Sequence, residues 1–169
     1  MKLLKKIIFF FYTSLQKEKK EKWDRFLPFN ELLIDRKKKA FLIGFGEGST
    51  IHDSSHIYGN VEVGNNTWVG PFTILDGSGG LKIGSNCSIS AGVQIYTHDT
   101  VDWATSGGKK KYIYKNVCID DNCYIGPNSV IQKGVKIGKG SVVGANSFVN
   151  KSFPENSKLV GNPAKLISK

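Results

Sequence analysis

The sequence predicts an all-β fold: a three-sided parallel β-helix of about five triangular coils, with one long extruded loop and a short α-helical N-terminal segment. Three observations predict it. Branched aliphatics recur at every sixth residue through Ile119, Ile125, Ile131, Ile137, Val143 and Val149. A compact residue stands two positions before each, at Val117, Cys123, Ser129, Val135, Ser141 and Ser147. Asn or Gly stands three positions after the first five, at Asn122, Asn128, Gly134, Gly140 and Asn146. A period of six is neither that of a strand nor that of a helix. It suits a coil of flat sides, each side one short strand and one tight corner. The aliphatic points inward and stacks on its equivalents above and below, at the strand spacing of roughly 4.8 Å. Gly and Asn take the corner, where a left-handed backbone costs them least. One unit cannot bury its apolar residue alone, so a solenoid follows.

The same column runs earlier, through Phe45, Ile51, Ile57, Val63, Val69 and Leu75. After a slip of two residues it resumes at Ile83, Ile89 and Ile95. Residues 43–153 therefore form the β-helix, 1–42 a basic and mostly helical segment, and 154–169 a C-terminal tail.

With 169 residues the chain is long enough for one sizeable core. The formal charge of +10 is uneven: residues 1–40 hold twelve Lys or Arg against five Asp or Glu. Such a surface favours phosphate-bearing ligands or anionic membrane. No nucleic-acid module is visible and no stacking platform interleaves the basic residues, so nucleic acid is not an expected partner. The three cysteines fit a reducing compartment, such as the cytoplasm. Cys87 and Cys123 fall at the small inward position as core filler, and Cys118 faces outward with no activating neighbour.

Leu4, Ile7, Ile8, Phe11 and Leu15 follow helical spacing, with Lys2, Lys5 and Lys6 near the start. The apolar run is too short to span a bilayer. No small-residue cleavage pattern follows it, which argues against a signal peptide. Two readings stand. The helix caps the coil stack or packs in an oligomer, or residues 1–15 lie on a membrane surface at the inner face. Pro28 separates further helix, and the run Arg36–Lys39 reads as a solvated face leading into the first coil.

Two irregularities break the repeat. Leu75 to Ile83 is eight residues, with Gly77-Ser78-Gly79-Gly80 as the extra material. Ile95 to Ile119 is twenty-four residues, so a loop over 97–116 leaves the prism. Counting sides in threes, Leu75 and Ile95 both close a coil, so both insertions leave at one vertical edge. Insertions gathered on one face mark a binding face. His98 lies on that edge, third after Ile95, where other repeats place Gly or Asn. An imidazole there is either a proton-transfer group at neutral pH or a corner residue of a type that tolerates left-handed backbone. Asp99 either orients it or starts the loop. Gly134, one coil later, leaves room beside it. Trp103 and Tyr112 are large for a protruding loop, so they pack on a neighbouring subunit or stack on a sugar or cofactor. At the other end, Pro154 and Pro163 are expected to block further strand pairing.

Three stretches carry a likeness: Tyr96-Thr97-His98-Asp99 with its loop, Ile119 to Asn128, and Val143 to Ser147 followed by Gly161-Asn162-Pro163-Ala164-Lys165. The chain resembles the hexapeptide-repeat acyltransferases, which fold as left-handed β-helices. It is most similar to the sugar O-acetyltransferases of surface-polysaccharide or lipooligosaccharide synthesis, with the galactoside and maltose acetyltransferases as cousins. The resemblance covers residues 43–169. It implies a homotrimer with its site between adjacent prisms, acetyl-CoA as acyl donor and a sugar or glycan as acceptor. It implies His98 as general base on the acceptor hydroxyl; Trp103, on the same loop, is the candidate substrate-binding residue from its own position. Tyr124, Gly126, Pro127, Gly144 and Ala145 match the wall passed by the pantetheine arm, and Lys151 and Lys165 the nucleotide end. Galactoside-type enzymes carry an Asn about a coil before the histidine. Here that neighbourhood reads Gly70-Pro71-Phe72, so acceptor recognition must differ.

An amino-sugar N-acyltransferase differs from this reading only in the acceptor. A γ-carbonic-anhydrase-like zinc enzyme needs three histidines on one metal. The chain has three, His52, His56 and His98, spread far apart in sequence, and no metal site is expected.

Overall fold

The computed structural model describes residues 1–168, in two compact units, Met1–Asp35 and Arg36–Lys169. In the first, α1 spans Lys2–Trp23 and α2 spans Phe29–Leu33. Helix α1 runs past the apolar stretch into Lys, Glu and Gln, which are good helix formers. It ends at Asp24, left-handed at φ 52°. Lys20 and Lys22 in its last turn suit the negative end of the helix dipole. Gln16, buried on α1, donates to the Tyr12 hydroxyl (2.8 Å) and the Leu27 carbonyl (2.7 Å) and accepts from the Leu27 amide (3.2 Å). That clamp turns the chain back and brings the Phe29 ring to 6.2 Å from Tyr12. Among the described residues no helix is long and apolar enough to cross a membrane.

In the second unit α3, Arg36–Leu42, covers the open start of the coils. Ala40 is buried with Phe45 and Ile51, and the Phe45 amide bonds the Ala40 carbonyl at 3.0 Å. The basic run is not only solvated. Lys39 Nζ donates to the His52 and Asp53 carbonyls and, at 3.0 Å, to the Asp53 carboxylate.

Beyond α3 the chain is a left-handed parallel β-helix. Face one stacks Phe45, Val63, Ile83, Ile119, Ile137 and Phe153. Face two stacks Ile51, Val69, Ile89, Ile125, Val143 and Leu159. Face three stacks Ile57, Leu75, Ile95, Ile131 and Val149. Nearly all of these side chains are buried in one continuous core, with Ile57 packed against it. The ridge between faces one and two is regular: Gly48, Asn66, Asn86, Asn122, Gly140 and Asn156 all have positive φ. On face two the small residues are structural. Ser49, Thr67, Cys87, Cys123 and Ser141 each donate to a carbonyl of the neighbouring coil, which satisfies backbone the corner would leave unpaired. A second glycine column follows the inward residue. A Cβ on Gly126 would stand 2.6 Å from the Ala145 amide nitrogen of the next coil, so the stack itself demands glycine there.

Two expectations change. The prism has about six coils rather than five. Val149 to Phe153 is four residues instead of six, which throws the count out of phase, yet Phe153 and Leu159 are further rungs. Nor do the prolines guard the edge. Lys158–Gly161 pairs with Val142–Val143 beyond Pro154, and Ala164–Ser168 folds back antiparallel on it, so a hairpin covers the edge.

Candidate active site

Leu75 and Ile95 stand in direct register on face three, and both insertions leave at the ridge between faces three and one. The insertions build one polar cluster. Asp76 follows Leu75 and is buried at that ridge. The glycine-rich insertion folds over it, and the Ser78 amide donates to Oδ1 at 2.9 Å. From the coil above, the Thr97 amide donates to Oδ2 at 3.0 Å. The Thr97 hydroxyl bonds the Asp76 carbonyl at 2.8 Å and accepts from the Gly79 amide at 2.7 Å. Gly79 must be bare, since a Cβ there would lie 2.5 Å from the Thr97 carbonyl oxygen.

His98 Nδ1 lies 2.6 Å from Oδ2 of Asp76. Burial by itself raises the Asp76 pKa, but the bonds from Ser78, Thr97 and His98 outweigh it and hold the group at about 2. An ionised carboxylate only accepts, so Nδ1 donates in this hydrogen bond, and in the neutral form of the ring the lone pair is on Nε2. The imidazole is about a third exposed, and the Tyr114 ring stacks on it with centroids 5.6 Å apart. This arrangement suits a general base: an imidazole held at Nδ1 by a carboxylate behind it and partly exposed in front.

The backbone of His98 differs from the corner expectation. It is not left-handed. His98–Asp99 pairs antiparallel with Ile113–Tyr114 as the stem of the loop. The hairpin replaces the corner, because the chain leaves the prism there. The hydrogen bond of the ring goes to Asp76 rather than Asp99. The Asp99 carboxylate pairs with Lys133, whose hydrogen bond is the main cause holding its pKa below the ordinary carboxylate value. Gly134 leaves no open space either, as the Lys115 side chain covers it. Within the loop, α4 (Val101–Thr105) carries Trp103, and the Trp103 and Tyr112 rings meet edge to face at 5.6 Å. Both remain more than two-fifths exposed.

The other sequence-derived positions lie elsewhere on the prism. Tyr124 faces outward on face two, with Lys165 on the outermost strand of that sheet. Gly126, Pro127, Gly144 and Ala145 form the ridge between faces two and three. Lys151 stands on the His98 ridge in the last coil, its ammonium 5.5 Å from the Phe153 ring centroid. All of face three therefore separates His98 from the glycine ridge within one chain. Sequence reading missed Asp76 and Tyr114. A signal for Asp76 existed: after the inward residue, face three carries Tyr58, Asp76 and Tyr96, where the other faces mostly carry glycine.

The bacterial transferase hexapeptide (six repeats) family matches residues 116–151. Over that stretch the chain is similar to the hexapeptide-repeat transferases. Protein CapG of Staphylococcus aureus is 45% identical over 91 residues, which are 52% of this chain and 51% of that protein. The chain thus spans about half the length of the curated relatives it matches. Among solved structures, the hexapeptide-repeat acetyltransferase VCA0836 of Vibrio cholerae, complexed with acetyl-CoA, superposes with a TM-score of 0.57 at 27% identity, over 94% of this chain and 86% of that one. The N-acyltransferase AntD of Bacillus cereus, with dTDP and 3-hydroxybutyryl-CoA, gives 0.63 at 23% identity, over 78% and 86%. No three His, Cys, Asp or Glu among the described residues converge as a metal site. His52 meets Trp68 edge-on at 6.0 Å, and His56 stacks on Tyr58 at 6.2 Å.

Proposed function

We propose that this chain is an O-acetyltransferase that moves an acetyl group from acetyl-CoA to a sugar hydroxyl, in surface-polysaccharide or lipooligosaccharide synthesis. The buried Asp76 carboxylate bonded to Nδ1 of His98 carries this reading. Nε2 takes the hydroxyl proton as the oxygen attacks the thioester carbonyl carbon. Asp76 stabilises the imidazolium that forms. The tetrahedral intermediate collapses, the C–S bond breaks, and the proton passes from Nε2 to the departing CoA sulfur. The acetyl-CoA complex of VCA0836 supports the donor. In this reading Tyr124, Gly126, Pro127, Gly144 and Ala145 flank the pantetheine, and Lys151 and Lys165 meet the CoA phosphates. A homotrimer sets the glycine ridge of one copy against the His98 ridge of the next, which one chain cannot do. The chain works in the cytoplasm, where acetyl-CoA is available, with residues 1–15 at the inner membrane face.

The test is acetyl-CoA turnover against a panel of sugars, nucleotide sugars and glycolipids. We expect a product ester that mild base cleaves, and His98→Ala should lose about 10²–10⁴-fold in kcat with the fold intact. Full activity in that variant refutes the assignment. A base-resistant amide product would instead make this an amino-sugar N-acyltransferase.

A further inference from the structure

Helix α1 gathers most of its early apolar residues on one side, with Phe9 set apart among the lysines. At 3.6 residues per turn, Phe10, Leu3, Ile7, Phe11, Leu4, Leu15 and Ile8 fill one arc of roughly 160°. Lys2, Lys5 and Lys6 occupy the opposite arc and its edges. Helix α2 engages a different flank, where Ile8, Phe9, Tyr12 and Phe29 with Lys5 line an apolar groove of about 390 Å³. Within residues 1–35 nothing covers the centre of the apolar arc: Leu3, Leu4, Ile7, Phe10 and Phe11 are 72%, 58%, 57%, 76% and 47% exposed. Soluble surfaces rarely leave such a patch unpartnered.

We propose that this face of α1 lies in the surface of an anionic lipid bilayer, with the helix parallel to the membrane plane. Charge decides for lipid over a second copy of the chain. Residues 1–17 contain Lys2, Lys5, Lys6 and Lys17 and no Asp or Glu. Copies of α1 packed in parallel would gather these lysines with no carboxylate of residues 1–17 to offset them, since Glu18 and Glu21 lie at the far end of the helix. Anionic headgroups supply that counter-charge at both edges of the apolar arc, where lysine stems reach outward. No described helix is long and apolar enough to cross a membrane, and an apolar arc edged by lysines suits a helix lying in the surface. The groove beside Lys5 has the chemistry for one acyl chain next to a phosphate.

The test is flotation of the full chain with vesicles of phosphatidylglycerol and phosphatidylcholine, and with phosphatidylcholine alone. The chain should float with the anionic vesicles and lose that binding severalfold between 0.1 and about 0.5 M salt, as screening shortens the reach of the lysines. Ile7→Ser with Phe10→Ser and Phe11→Ser leaves the charge unchanged and should cut binding at least tenfold, with circular dichroism confirming that the fold is kept. Lys2→Gln with Lys5→Gln and Lys6→Gln should cut it severalfold. A chain that stays unbound with anionic vesicles overturns the proposal, as does a serine variant that floats like the parent. If the parent stays unbound and the serine variant shifts to a smaller assembly in light scattering, a second copy covers the face instead. Flotation needs no turnover, so its outcome is independent of the reading of His98.

Discussion

Oδ2 of Asp76 stands 2.6 Å from Nδ1 of His98, although the residues are 22 positions apart in sequence. The distance is short because Leu75 and Ile95 are consecutive rungs of one face. Each polar group follows its rung onto the same ridge. The smaller insertion supplies the carboxylate and its donors, and the larger one supplies the imidazole.

Asp76→Asn should therefore lower kcat by about 10²–10³-fold and leave KM for acetyl-CoA near its original value. An amide turned to donate to Nδ1 forces the proton onto Nε2, where it blocks the base. Steady-state kinetics across pH separate this from a structural role. A KM change with kcat preserved would exclude positioning.

Asp99→Asn should change kcat by only a few-fold, because the Asp99 carboxylate pairs with Lys133 rather than the ring. Measured beside Asp76→Asn, it shows which carboxylate serves His98. A larger loss at Asp99 would reverse the roles.

Acid stability follows from the same carboxylate. Asp76 is held at about 2 against an ordinary 3.8, so the unfolded chain takes up the proton first. Its contribution is present in full above 3.8 and is lost as pH falls towards 2. The pKa difference corresponds to about 2 kcal/mol. Urea unfolding of the parent and Asp76→Asn should show a stability gap that narrows over this window. A gap constant with pH would contradict the ionised, bonded state.

Phe72 adopts a left-handed backbone at φ 59° while its side chain is 66% exposed. The corresponding corners of later coils hold Asn128 and Asn146, which tolerate that conformation. Phe72→Asn should raise stability by about 0.5–1 kcal/mol in thermal or urea unfolding. If KM for the acceptor also rises, the aromatic ring contributes to acceptor binding. Unchanged or lower stability would show that the corner carries no strain.

Gly126→Ala should destabilise by about 1–3 kcal/mol, because the new Cβ meets backbone of the next coil rather than a movable side chain. Urea unfolding checks it. Normal stability with raised KM for acetyl-CoA would assign the glycine to the donor alone.

The sequence by itself determined the prism, because its period is a local rule. Apart from the two insertions, every rung from Phe45 to Val149 sits where six-residue spacing puts it, and counting in threes placed both insertions on one ridge. Counting failed at Val149–Phe153, where two residues are missing and no local signal replaces them. Tertiary structure alone decided what the ridge contains. Asp76 rather than Asp99 serves His98, since coil stacking sets the distance between side chains on neighbouring turns and chain adjacency does not. The antiparallel stem under the loop, Tyr114 against the imidazole, and the Asp99–Lys133 pair have the same origin. A repeat specifies its own rungs, but contacts made where it is interrupted depend on how the emerging chain packs back.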